Sequence, residues 1–148
     1  MRPIIKKGLT LIEVLVIIGI IGILSLIGIP AFRTYGPKLN LSGSTQELVS
    51  DLHYIQQISV TEQKEYSIKF FPLDRKYQVF KYGTAIILKE KTFSGDIQSL
   101  IVSGFTGDEV VYNSYGAVKE EGSAILENSL GEIKTITIKP SGFIEVSN

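Results

Sequence analysis

The 148-residue chain contains no cysteine and only one histidine. The lack of cysteine excludes a disulfide framework, a thiolate metal site and a cysteine nucleophile. His53 has no second histidine to share a metal with, and its place in a helical pattern predicts a surface or core-edge role. The serines lie in no G-x-S-x-G motif and have no base partner. These absences leave no residues to support an enzymatic function.

Neither sign of charge is in excess, since Lys plus Arg and Asp plus Glu each total 15. This balance argues against a broadly basic nucleic-acid surface and against a long acidic tail. Asp96, Asp108 and Glu109 fall in predicted loops, but their spacing is not that of an EF-hand. We interpret them as solvated charges, and we expect neither a bound metal nor a cofactor.

A long apolar run occupies residues 9–29, where Glu13 is the only charged residue. As a helix, these 21 residues would span about 31 Å, the thickness of the hydrocarbon core of a bilayer. The basic residues Arg2, Lys6 and Lys7 precede the run, which predicts a cytoplasmic N-terminus by the positive-inside rule.

Three interpretations of this run compete. A secretory signal peptide fits the basic start, but the run is long and no A-x-A site follows it. A plain membrane anchor leaves Glu13 unexplained, because a carboxylate inside lipid costs about 2.5–3.5 kcal/mol and usually has a partner. The third interpretation is cleavage between Gly8 and Leu9. It creates a cationic α-amine, and in a packed assembly that amine could pair with Glu13 of a neighbouring copy and fix the axial register.

The stretch KKGLTLIE at residues 6–13 resembles the prepilin cleavage motif of type IV pilins and of type II secretion and competence pseudopilins. The resemblance implies that a membrane peptidase recognises Lys6 and Lys7 and cuts after Gly8. It implies that Leu9, where the family most often has Phe, becomes the N-methylated first residue. It also implies that Glu13 guides subunit assembly.

The same resemblance predicts a structural filament subunit and its partners. These are other pilin or pseudopilin subunits, the prepilin peptidase, an inner-membrane assembly platform and membrane lipid. The chain would cross the inner membrane once, with its globular region in the periplasm, before it enters an extracytoplasmic filament. A pilus, a secretion pseudopilus and a competence pseudopilus all remain compatible with the sequence.

Small residues recur in the apolar run at Gly19, Gly22, Ser25 and Gly28. They allow membrane helices to approach closely, although such composition is also ordinary in membrane helices. Gly22 and Pro30 match positions common in the pilin family. Glycine weakens a helix and proline removes one of its hydrogen bonds, so we predict a helix break at these two positions.

The rest of the chain predicts an α+β fold. Leu48, Leu52 and Ile55 form one apolar helical stripe, which predicts that the helix continues to about residue 61. Beyond residue 64 the apolar period changes to two, and short strands alternate with glycine-bearing turns. We therefore predict a leader at 1–8, a membrane and assembly helix at 9–29, its amphipathic continuation at 30–63 and an antiparallel β-rich region at 64–148.

The β-rich region resembles the minor pseudopilins of the H type and related minor pilins in its VVYNSYG and SAILEN segments and its final hairpin. The lack of cysteine departs from the disulfide-closed loop of many major pilins and favours a minor subunit. An alternative function is a membrane-anchored, DNA-binding minor pilin for uptake. The tail GFIEVSN carries Glu145 and no arginine, and the cut chain has 12 basic against 15 acidic residues, which disfavours nucleic acid as a partner.

Overall fold

The computed structural model describes residues 10–148, apart from the side chains of residues 31 and 34. The chain divides into two compact units, of which the first ends at Gly36 and the second runs from Pro37 to Asn148. We call the second unit the head. The head thus begins inside the helical segment that the sequence assigned to residues 30–63, and it includes the amphipathic part of that segment. The predicted leader at 1–8 lies outside the described residues.

In the part of the chain that the structure describes, one helix, α1 (Leu11–Glu62), precedes the strands. It passes through Gly22 and Pro30 without interruption, which corrects the helix break predicted at these positions. Proline removes only one N–H donor, and the flanking residues keep their own i to i−4 bonds, so one missing bond leaves the helical assignment intact. Glycine weakens a helix energetically but has no geometry that excludes it from one.

The C-terminal part of α1 buries one stripe of side chains in the core of the head. The predicted residues Leu48, Leu52 and Ile55 are fully buried, and Leu41 extends the stripe by two turns. Two of the three buried polar residues of α1 are satisfied within the helix. Thr45 Oγ1 donates to the carbonyl oxygen of Leu41 at 2.8 Å, and Ser59 Oγ donates to that of Ile55 at 2.7 Å.

Within residues 10–148, eight antiparallel strands form two four-stranded sheets. The strands are β1 (Tyr66–Phe71), β2 (Lys76–Lys81), β3 (Ile87–Thr92), β4 (Ile97–Ser103), β5 (Glu109–Tyr112), β6 (Gly122–Asn128), β7 (Ile133–Ile138) and β8 (Ile144–Ser147). The first sheet has the order β3-β2-β1-β5 and the second β4-β6-β7-β8. A short 3₁₀ turn at Thr106–Asp108 precedes β5. The predicted α+β class and antiparallel pairing are confirmed, although the strands divide between two sheets.

Side chains alternate between the two faces of each strand, and one face of each sheet packs in the core. In β1 the core residues are Tyr66, Ile68 and Phe70, and Ile68 lies opposite Val79 of β2 and Val110 of β5. In the second sheet, Ala124 and Leu126 of β6 and Ile136 and Ile138 of β7 are fully buried. These residues and the helical stripe belong to one continuous cluster, so the helix and both sheets share a single core.

A buried carboxylate connects α1 to the first sheet. Asp51 accepts a hydrogen bond from the Tyr77 hydroxyl at 2.6 Å and pairs with Lys89 Nζ of the edge strand β3 at 2.8 Å. Glu47, one turn earlier, pairs with Lys91 Nζ at 2.9 Å. Burial and the bond to Asp51 raise the pKa of the Tyr77 hydroxyl, which therefore stays protonated and donates. These two carboxylate–lysine contacts fix the register of α1 along β3.

The start of the head is fixed by two further contacts. Lys38 Nζ pairs with Glu132 in the β6–β7 turn at 2.6 Å, and the Asn40 amide donates to Asp96 in the β3–β4 turn. The Lys38 contact lowers the pKa of the Glu132 carboxyl, with a further contribution from the Asn128 amide. Both turns are therefore held against the same part of α1, where the head begins.

We expect the fragment 37–148 to fold without the rest of the chain. Within residues 10–148, every residue of the core cluster lies between Leu41 and Ile144, so the fragment keeps the described hydrophobic core. It should be soluble and monomeric, because it lacks the exposed apolar helix of the first unit. Size-exclusion chromatography and circular dichroism will test this expectation, and an unfolded or filament-forming fragment would contradict it.

We expect Leu52→Ala to destabilise the head by about 2–5 kcal/mol, since it leaves a cavity where the helix meets the sheets. Leu73→Ala is the matched control, because Leu73 is 100% exposed at the β1–β2 turn and its loss should cost less than about 0.5 kcal/mol. Urea unfolding of the full chain in detergent, followed by tyrosine fluorescence, measures both values. Equal midpoints for the two variants would contradict the assigned core.

Candidate assembly site

The predicted cleavage residues Lys6, Lys7, Gly8 and Leu9 lie outside the described residues. Glu13, the predicted assembly carboxylate, lies in the first turn of α1 and is exposed. Across residues 10–148 its carboxylate has no hydrogen-bond or ion-pair partner. Within the described residues, the structure thus places a single charge without a partner at the beginning of an apolar segment.

Thr10 caps the helix that carries Glu13. The backbone N–H of Glu13 donates to the Thr10 hydroxyl at 3.3 Å and to the Thr10 carbonyl oxygen at 3.1 Å. Thr10 and Glu13 have the spacing of a capping box, and a carboxylate in the first turn also interacts favourably with the helix dipole. The sequence reasoning missed Thr10, although the T-x-x-E pattern could have revealed it.

The segment that follows is exposed and apolar on every side. Leu11–Pro30 is 20 residues long, has a mean hydropathy of 2.8, and none of its residues is buried within the chain. Its length of about 30 Å matches the hydrocarbon core of a bilayer. Ordinary surface helices of water-soluble proteins have one polar face. This segment therefore has the length and composition of a helix surrounded by lipid or by other apolar helices.

The small residues leave open surface along this segment. A Cβ added at Gly19, Gly22 or Gly28 would meet nothing within 4 Å, so nothing packed within the chain requires glycine at these positions. Ser25 satisfies its hydroxyl by donating to the Ile21 carbonyl oxygen at 2.8 Å. Positions of this kind allow a second helix to come close.

The head offers little chemistry of its own. No group of three or more His, Cys, Asp or Glu side chains within residues 10–148 is arranged to hold a metal ion. Asp96 accepts its hydrogen bond from Asn40, and His53 is exposed on α1. The functional residues that the sequence predicts are therefore concentrated at the start of the chain.

No family model matches the sequence. The chain is 30% identical over 138 residues to a fimbrial protein of Pseudomonas aeruginosa, and the match covers 93% of this chain and 82% of that protein. It is 52% identical over 44 residues to the prepilin peptidase-dependent protein D of Escherichia coli (strain K12), a match that covers 30% of each chain.

Two solved structures share the fold. The type IV minor pilin FimU of Pseudomonas aeruginosa (strain PAO1) superposes with a TM-score of 0.64 at 14% identity, over 77% of this chain and 92% of FimU. The minor pseudopilin EpsH of the type 2 secretion system of Vibrio cholerae superposes with a TM-score of 0.60 at 12% identity, over 73% of this chain and 96% of EpsH. The near full-length relationship to the fimbrial protein, together with this shared fold, shows that the chain belongs to the family of type IV pilins and type II secretion pseudopilins.

Proposed function

We propose that this chain is made as a prepilin, is cut between Gly8 and Leu9, and enters a filament through its apolar helix. As a member of its family it is a structural filament subunit of the type IV pilus or type II secretion kind and not an enzyme. The observation that carries the proposal is the Glu13 carboxylate, which has no partner within residues 10–148 and lies near the start of the apolar segment Leu11–Pro30, none of whose residues is buried.

The exposed helix supports an anchor in the inner membrane before assembly. The basic residues Arg2, Lys6 and Lys7 favour a cytoplasmic N-terminus, with the head on the periplasmic side. In this position the prepilin peptidase and the inner-membrane assembly platform have access to the cleavage site and the helix. After extraction from lipid, the apolar side chains of Leu11–Pro30 would be buried again against the helices of neighbouring subunits.

The proposed role of Glu13 is to fix the register between subunits. The α-amine of Leu9 in the cut chain is mostly cationic at neutral pH, and it can pair with Glu13 of an adjacent copy. A wrong register would leave both charges without partners in an apolar environment, which is costly. A correctly placed subunit therefore gains an ion pair that a misplaced one lacks.

DNA uptake is the weaker alternative. Phosphate binding requires a basic surface, whereas the cut chain has 12 basic and 15 acidic residues. Near the C-terminus, Lys139 pairs with Glu145 at 3.1 Å, so its charge is already compensated. No feature of the described residues favours nucleic acid over another subunit.

Co-expression with a prepilin peptidase should yield a chain that starts at Leu9. Glycine lacks a side chain, so it lets the backbone extend into the peptidase cleft. Gly8→Val should therefore block processing, whereas the smaller change Gly8→Ala should be tolerated. N-terminal sequencing of membrane fractions reads out both variants. An intact Met1 in the parent chain, or a start beyond Pro30, would overturn the proposed processing.

Glu13→Gln should lower incorporation into sheared filaments by about tenfold or more, because an unpaired charge buried in an apolar assembly costs several kcal/mol. The variant should still insert into the membrane and be cut, since processing depends on Gly8 and the preceding lysines. Glu13→Leu should insert at least as well as the parent and should assemble equally poorly.

The matched control is Ser25→Ala, which changes a polar residue of the same helix whose hydroxyl is satisfied by its own chain. Shear fractions from cells that express each variant at equal levels provide the measurement. Parent-like amounts of both Glu13 variants in the filaments would show that Glu13 does not set the register.

A further inference from the structure

Three turns of the head meet at the end where α1 enters it. Two of them, the β6–β7 turn at 129–132 and the β3–β4 turn at 93–96, contact Lys38 and Asn40 of α1. These two turns also contact each other, because the Ser129 N–H donates to the Asp96 carbonyl oxygen at 2.9 Å. We call this end of the head, formed by residues 38–40 and the three turns, the proximal end.

The third turn, the β1–β2 connection at 72–75, joins the same group through Arg75. The Phe93 N–H donates to the Arg75 carbonyl oxygen at 2.9 Å. Arg75 Nη1 in turn donates to the Ile97 carbonyl oxygen at 2.9 Å, at the start of β4. Hydrogen bonds therefore connect all three turns at the proximal end, and two of the turns also contact α1.

Two of these turns carry a leucine at the tip. Leu73 is completely exposed, and Leu130 is 47% exposed. Backbone bonds close both turns, from the Arg75 N–H to the Pro72 carbonyl oxygen at 3.2 Å and from the Gly131 N–H to the Asn128 carbonyl oxygen at 3.1 Å. Turns are usually built from Gly, Pro, Asn, Asp and Ser. The geometry of the two turns therefore does not explain why their tips are leucines.

Two further apolar side chains are exposed at the proximal end. Leu39 of α1 is 70% exposed, and Ile133 follows directly after the β6–β7 turn and is also exposed. Exposed apolar residues that occur singly are ordinary on protein surfaces, whereas a group of them marks a surface that contacts another apolar phase. We call Leu39, Leu73, Leu130 and Ile133 the apolar rim.

The chain keeps the apolar rim close to the proposed membrane span. The apolar run continues to Phe32, and Arg33 is the first charged residue after Glu13. Leu39 follows Phe32 by seven residues, which span about 10 Å of helix. The headgroup layer of a bilayer is about 5–8 Å thick on each side. The remaining distance is comparable with the length of a leucine side chain.

We infer that the apolar rim of the head contacts the surface of the bilayer that holds the chain, at the level where headgroups meet acyl chains. The inference rests on the proposed membrane anchor. Leucines that reach this level leave water, which is favourable. Lys38 is already paired with Glu132, so we assign the contact to the apolar side chains and not to attraction of lysines by anionic lipid. The contact would orient the head before the subunit leaves the membrane.

The turn 113–117 provides a reference position at the other end of the head. Gln56 Nε2 of α1 donates to the Gly116 carbonyl oxygen at 2.9 Å. Gln56 follows Asn40 by 16 residues, or about 24 Å along the helix axis. Tyr115 in this turn is 86% exposed. A label at Tyr115 is therefore as accessible to solvent as one at the proximal end, but it lies far from residues 38–40.

Single-cysteine labelling tests the contact, because the chain has no cysteine of its own. Ser129→Cys places an environment-sensitive NBD fluorophore beside Leu130, and Tyr115→Cys places one at the reference position. The full chain is reconstituted into phosphatidylcholine vesicles with or without phosphatidylcholine that carries a nitroxide at the top of its acyl chains. The nitroxide should quench the Ser129 label by about half or more, since the label lies at the interface, and should leave the Tyr115 label almost unchanged.

Removal of the two turn-tip leucines provides the second measurement. Leu73→Ser combined with Leu130→Ser should lower the quenching of the Ser129 label to the level of the Tyr115 label. The matched control combines Ile101→Ser with Phe143→Ser, which removes two exposed apolar side chains outside the apolar rim, and should keep the quenching. Urea midpoints of both variants should stay near that of the parent, because all four side chains are exposed.

A label at Ser25→Cys, within Leu11–Pro30, separates the inference from the proposed anchor. If the Ser25 label is quenched but the Ser129 label behaves like the Tyr115 label, the contact is overturned and the anchor stands. If the Ser25 label is not quenched, the anchor is overturned and the contact with it.

Three further outcomes would contradict the contact. Equal quenching at Ser129 and Tyr115 would mean that the proximal end is not the surface that meets lipid. Undiminished quenching in the double leucine variant would mean that the apolar rim does not make the contact. A blue-shifted Ser129 label that nitroxide lipid does not quench would indicate that a second copy, and not lipid, covers the rim.

Discussion

The burial of one stripe of α1 holds the head together. Each sheet is hydrogen-bonded within itself, and in the described residues the only β-bridge outside the named strands is that between Tyr112 and Val118. Leu48, Leu52 and Ile55 are fully buried in a cluster that contains residues of both sheets. Each such side chain contributes about 1.5–3 kcal/mol by leaving water. Without the helix, both sheets would expose their inner faces.

The polar contacts around this stripe determine the position of α1 more than they contribute to the stability of the head. Ion pairs between exposed groups contribute at most about 1 kcal/mol each, whereas Asp51 is buried and serves both Tyr77 and Lys89. Sliding the helix by one turn would leave this carboxylate and the Tyr77 hydroxyl without partners, at a cost of about 1–3 kcal/mol for each neutral group and more for the charge. Hydrophobic burial therefore provides the stability of the head, and Asp51 selects one register.

The same helix meets two different environments along its length. From Pro37 onward it has one buried face and one polar face, as a helix in water requires. The segment Leu11–Pro30 has no polar face, and none of its residues is buried within the chain. Its apolar surface has to be covered by lipid or by other subunits. One continuous helix, α1, can therefore contain both a segment that packs in the head and an apolar segment that contacts lipid or other subunits.

Much of this organisation could be predicted from local sequence patterns. The 3.6-residue period revealed the stripe at Leu48, Leu52 and Ile55, and the period of two revealed the strands. The division into two sheets could not be predicted, because it depends on pairings between distant segments such as β1 with β5. Thr45 and Ser59 were also missed in the buried stripe, since their hydroxyls bond to the helix backbone and need no distant partner. The continuous helix at Pro30 shows that one lost hydrogen bond is a weaker signal than the helical residues around it.

Two explanations of Glu13, a local one and an intermolecular one, differ in the free energies that they involve. Glu13 has a local use, because a carboxylate in the first turn favours the helix by about 0.3–1 kcal/mol through the helix dipole. A carboxylate within the bilayer costs about 2.5–3.5 kcal/mol at the centre of a span and less near its start. Even about half of that central cost exceeds the local gain. Thr10 already caps the helix with a neutral hydroxyl, so the helix needs no charge there. The local gain therefore does not explain why the chain carries a carboxylate at Glu13, whereas the intermolecular partner that we propose, the cationic α-amine that cleavage before Leu9 would create, does explain it.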